Sequence, residues 1–129
     1  MRTTSTEESR VIDELMTAAA ADTDVLRVLD SQGDVFATAR KVDFLFRADV
    51  EKQARAVAGF LSDYQYARTA YESDDSGHRV LATIVMPLDQ NVILSVSGFM
   101  LLIAKLFSVT YDGWGTVARR AGRPVPLSH

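Results

Sequence analysis

Three observations predict an α+β fold for this chain of 129 residues. From Lys41 onward, runs of alternating apolar residues take turns with runs of helical periodicity. Turn-forming residues punctuate them, with Asp74-Asp75-Ser76-Gly77 set between two strand-like runs. The chain has no cysteine, yet it is long enough to bury a core without disulfide or zinc staples. One domain over residues 1–129 is expected, with its core at about 23–118 and with 1–5 and 119–129 flexible.

The elements follow in order. Ser5 and Glu8 have capping-box spacing, and Val11, Ile12, Leu15, Met16 and Ala19 recur at helical intervals. A first helix is therefore expected from about Thr6 to Ala21. Thr23 or Asp24 offers a cap for a second, short helix carrying Val25, Leu26, Val28 and Leu29, and Gly33 stops it. Lys41 to Arg47 alternates strictly. Val42, Phe44 and Phe46 take one side, and Lys41, Asp43, Leu45 and Arg47 take the other, as in a half-buried strand. Asp49 caps a helix reaching about Ser62, with Val50, Ala54, Val57, Ala58 and Leu61 as its apolar stripe. Tyr64 to Tyr71, rich in Tyr and Thr, reads as a second strand, and His78 to Met86 as the third, the two joined as a hairpin. Pro87 ends that hairpin. Asp89 caps a long helix from Gln90 to Phe107, Val109 to Ala118 is the last strand, and Pro124 and Pro126 mark an irregular tail. The order β-α-β-β-α-β, with right-handed crossovers, gives a four-stranded antiparallel sheet with both helices on one face. This is the ferredoxin-like arrangement, extended by two N-terminal helices. The opposite face then needs the N-terminal helices, a partner or water, and alternation assigns Leu45 and Tyr71 to it.

Composition removes several function classes. The longest apolar stretch, Val92 to Phe107, falls short of the about 20 residues a membrane span needs and contains Lys105. Met1 to Arg10 is polar and has no signal core. A net charge of −3 gives no bulk attraction to nucleic acid. Thiol catalysis and Cys-zinc sites are excluded, and the lack of cysteine fits a reducing compartment. The tail, with Arg119, Arg120 and Arg123, is locally basic.

Few residues carry chemistry. His78 beside Asp74 and Asp75 has no second His at ligand spacing, and the Asp-rich turn lacks the acids of a calcium loop. Ser95, Ser97 and Ser108 have no neighbouring base, and Ser97-Gly98 suits close packing of the long helix. Phe44 and Phe46 fit a core better than an RNA-stacking platform. Gly113 and Gly115 lack phosphate-loop spacing. No catalytic residue, metal or cofactor is expected. The most informative segment is Tyr111-Asp112-Gly113-Trp114-Gly115-Thr116, which holds the only Trp and two of the seven Gly. Asp112-Gly113 suits a bulge or bend in the strand. Trp114 has two readings, a core side chain or an exposed anchor for a partner.

This segment, together with Gly33-Asp34 and the aromatic strand Val42-Asp43-Phe44-Leu45-Phe46, resembles the RraB family, regulator of ribonuclease E activity B. The resemblance spans roughly Thr23 to Val117. It implies a ferredoxin-like α+β fold and a cytoplasmic protein without catalysis of its own. It further implies binding to an RNase E-type endoribonuclease, inhibiting or redirecting it and so altering RNA decay. Tyr111, Asp112, Gly113, Trp114 and Gly115 are the matching positions and the candidate partner-binding residues. Contact is expected through the sheet face or its edge near Trp114, helped by acidic residues of the first half, with no direct nucleic-acid contact and room for a homodimer. Two features depart from the family: the basic tail, where members end in acid, and the helix at about Thr6 to Ala21. A small-molecule-sensing domain acting as a dimer is the alternative.

Overall fold

The computed structural model describes residues 3–120 and 123–126. Its elements are α1 (Thr3–Ser31), β1 (Arg40–Ala48), α2 (Glu51–Asp63), β2 (Arg68–Asp74), β3 (Gly77–Met86), α3 (Gln90–Leu106), β4 (Thr110–Arg120) and β5 (Arg123–Pro126). The strands form an antiparallel sheet in the order β2-β3-β1-β4, and β5 pairs onto β4.

The alternation in β1 dictates the layering. Val42, Phe44 and Phe46 are buried beneath α2 and α3, and each lies opposite a β3 residue on the same face: Ile84, Ala82 and Val80. Ala54, Val57 and Leu61 from α2 meet this face, as do Ile93, Met100 and Ile103 from α3. Burying a side chain such as Phe44 or Leu61 is worth about 1.5–3 kcal/mol. The other face is open. Leu45 lies there opposite Leu81, and Val85 and Val117 are exposed. Tyr71 does not join them. It pairs with the buried Val80, so it faces the helices, where the Arg55 guanidinium sits 4.4 Å from its ring centroid.

A single helix replaces the two expected at the N-terminus. The Thr23 hydroxyl donates to the carbonyl of Ala19, at 2.8 Å, instead of capping a new start. No Gly or Pro interrupts Thr3 to Ser31, so nothing breaks the ladder. α1 packs against α3 and touches β4, so among the described residues it does not cover the open sheet face. Gly33 does end it: with φ at +81°, Asp34 N–H reaches Leu29 O and Gly33 N–H reaches Asp30 O. The next turn is fixed by a buried ion pair. Arg40 donates to both Asp34 oxygens, at 2.6 and 2.9 Å, and to the carbonyls of Val35 and Thr38.

Three smaller expectations give way, and Asp89 keeps its expected place at the start of α3. Val50, not Asp49, is the α2 N-cap, and no side chain caps it. Asp89 occupies the α3 N-cap position without a capping side-chain bond. β2 begins at Arg68 because Tyr64 to Ala67 are used to close α2. The tail read as irregular pairs as a strand, Val117 opposite Pro126 and Arg120 opposite Arg123.

Candidate functional site

β4 is kinked where the sequence places Asp112-Gly113. Phe44 pairs with Trp114 and Phe46 with Tyr111, so two steps along β1 match three along β4. The extra residue makes a bulge, and Gly113 takes φ +96°, which a side chain would strain. A Cβ there would meet no atom within 4 Å, so the requirement is conformational and not one of space. The bulge has a steric consequence. Residues three apart on a regular strand point to opposite faces; here Tyr111 and Trp114 both point toward the helices.

There they meet α1 and α3. Trp114 Nε1 donates to Asp22 Oδ1 at 2.9 Å. Ser97 hydrogen-bonds Asp22 as well and lies 2.7 Å from the Tyr111 hydroxyl. With the Ser97 proton given to the carboxylate, Tyr111 donates to Ser97 Oγ. Asp22 is only 5% exposed and Ser97 is fully buried. Burial pushes the Asp22 carboxyl above its ordinary value, and the Ser97 and Trp114 bonds counter part of that rise. Burial also raises the Tyr111 hydroxyl, with Ser97 opposing and the Asp22 charge adding to the rise. The network therefore fastens three elements through polar groups that are buried at Asp22 and Ser97 and part-buried at Tyr111 and Trp114.

Beside the network lies a cleft of about 520 Å3 between α1, α3 and the bulge. Ala18, Ala21 and Leu101 give its apolar walls, Asp22 and Tyr111 its inner end, and Arg10, Asp13 and Glu14 part of its rim. Lys105 holds Glu14 at 2.8 Å, and Arg47 clasps Asp112 with two hydrogen bonds. Of the five motif residues, Tyr111, Asp112 and Gly113 line the cleft, and Trp114 stands behind Asp22. Gly115 pairs with Asp43 in the sheet and has neither positive φ nor a crowded Cβ position. Asp22 escapes motif reading, although its place on the apolar face of α1, seven residues after Leu15 and four before Leu26, is a legible signal of a buried polar group.

The other candidates resolve structurally. His78 Nδ1 is 2.7 Å from the Tyr71 hydroxyl, and the two rings stack. Asp74 accepts from Ser76 and Arg79, which together hold its carboxyl at about 2. Among the described residues no three His, Cys, Asp or Glu are grouped to hold a metal, and no helix is long and apolar enough to cross a membrane.

A family model described as RraB, Regulator of ribonuclease activity B, matches residues 19–116. The chain belongs to this family. Membership in the RraB family places it among regulators of ribonuclease activity. The bulge, Asp22, Ser97 and Arg47 lie inside the matched span, whereas the α1 turns from Thr3 to Ala18 precede it. No curated protein matches the chain at a significant level.

Proposed function

We propose that this chain is a non-enzymatic regulator that binds an RNase E-type endoribonuclease by protein contact and inhibits or redirects it. RraB family membership carries this reading. The site chemistry is compatible with it: Tyr111 and Ser97 spend their hydrogen bonds on each other and on Asp22, within a network that ties α1, α3 and β4 together. The ferredoxin-like arrangement and a cytoplasmic location belong to the same proposal. Tyr111, Asp112, Gly113, Trp114 and Gly115 form the contact region in two ways. Asp112 and Gly113 present the bulge at the surface, and Tyr111 and Trp114 set its shape from within. The small-molecule-sensing alternative is favoured by one observation, the cleft itself.

The test is capture of the protein by the non-catalytic C-terminal half of the host RNase E, followed by RNA cleavage with and without it. Wild type should be captured and should slow or redirect cleavage. Asp112→Lys, which reverses an exposed charge at the bulge, should weaken both together. Failure of wild type to bind at micromolar concentration would overturn the reading.

A further inference from the structure

The cleft between α1, α3 and the bulge holds an unbalanced charge. Asp22 is a carboxylate at 5% exposure, and the groups that bond it, Ser97 and the Trp114 indole, are both neutral. A buried carboxylate ordinarily has a cation beside it, as Asp34 has Arg40. Of the neighbouring cations, Lys105 is spent on Glu14 and Arg47 on Asp112, at the margins of the cleft, and Arg10, on the rim, lies about 18 Å from Asp22 along the axis of α1, beyond the reach of its side chain. Asp22 nevertheless lines an opening of about 520 Å3, within the range of about 300–1,000 Å3 typical of ligand sites. Between it and solvent the walls are the small side chains of Ala18 and Ala21, the side chain of Leu101 and the ring of Tyr111. Asp13 adds a second carboxylate at the rim. Apolar walls leading to a charged end fit a chain that is itself apolar along its length and cationic at its tip.

We propose that this cleft binds a guanidinium or primary ammonium group carried on a short aliphatic stem, the head at Asp22 and the stem along Ala18, Ala21, Leu101 and Tyr111. The same chemistry is offered by a free alkyl amine and by an arginine or lysine side chain of a protein. The proposal stands independently of ribonuclease binding, which is not its readout.

The only Trp in the chain is bonded to the acceptor in question, so its fluorescence reports the site directly. Intact protein is titrated with agmatine and, separately, with an acetylated and amidated Gly-Arg-Gly peptide. A saturable change in Trp emission is expected with at least one of them. Response to agmatine assigns the site to a free amine, and response to the peptide alone assigns it to a protein side chain. Asp22→Asn should weaken the response at least about tenfold. Ala21→Leu fills the cleft from an exposed position without touching the core, and it should abolish the response even if the Asp22 variant folds poorly. No saturable change up to about 10 mM of either probe overturns the proposal. A response that survives Ala21→Leu overturns it too, since the cation is then gathering on surface charge.

Discussion

Asp22 stands on the face of α1 that turns toward α3, and its titration is tied to the fold. Its carboxyl is raised above the ordinary 3.8, chiefly by burial. Between 3.8 and the raised value, the folded chain holds a proton that the unfolded chain has released. Asp22 therefore favours the folded state more as pH falls through this window, and above it the cost of a buried charge is felt in full. Asn at this position keeps an oxygen for Trp114 and carries no charge. Urea unfolding of wild type and Asp22→Asn at pH 7 and pH 4 should show their difference in stability shifting toward wild type at pH 4. The opposite shift would mean that the fold stabilises the ionised form. Asp74, held at about 2, loses its contribution as pH falls from 3.8, but does so in both proteins and cancels. The sequence exposed one half of this site. Asp112-Gly113 announces a bulge, and a lone Trp beside it draws attention. The other half depends on a contact spanning 92 positions, which no local pattern encodes.

All three helices end in the same way, and this accounts for which boundaries were legible. Gly33 closes α1 with a positive φ, and a glycine in that position can be read from sequence. Gln65 and Ser108 close α2 and α3 with the same pattern: Tyr66 N–H reaches Leu61 O and Gln65 N–H reaches Ser62 O; Val109 N–H reaches Ala104 O and Ser108 N–H reaches Lys105 O. Their φ values of 62° and 59° belong to the left-handed region, which costs a residue with a Cβ about 1–2 kcal/mol. Nothing in the residue types Gln and Ser signals such a stop, so the Tyr- and Thr-rich pattern predicts β2 from Tyr64, although Tyr64 to Ala67 close α2 and the strand begins at Arg68. β1 is legible because its alternation is strict and one face is buried, and β3 because an apolar run is bounded by the Asp74–Gly77 turn and Pro87. The split of α1 was a false signal, since Thr23 caps and Thr23 bonded back to Ala19 look alike in sequence. Gln65→Gly and Ser108→Gly should each stabilise the protein by about 1 kcal/mol, after allowance for the greater freedom of glycine in the unfolded chain. Urea midpoints at constant slope measure this. A loss of stability in either variant would show that the side chain contributes more than its backbone costs.

At the scale of the molecule, α1 has two unequal halves. Leu26 and Leu29 are buried in the core, and Asp22 joins the polar network. From Ser9 to Ala21, by contrast, no residue is fully buried, and Ile12 and Met16 are more than half exposed. That stretch is held by Leu15 against Gly98 and by the Glu14–Lys105 pair, in which both side chains are 38% exposed. An ion pair so placed is worth no more than about 1 kcal/mol. An isolated helix of this length is marginal in water, so its helicity is sustained from the anchored end. The family match begins at residue 19, close to where burial begins. Removal of residues 1–18 should therefore leave a chain that still unfolds cooperatively, with a lowered midpoint. The same truncation takes away Arg10, Asp13 and Ala18, one wall of the cleft, so the Trp response to agmatine should vanish while ribonuclease capture through the bulge persists. Thermal unfolding with the two binding measurements on the shortened chain separates these outcomes. A truncated chain without a cooperative transition would make the arm part of the folding unit. A folded chain that still answers agmatine would show that the turns of α1 before residue 19 are not needed to hold the cation.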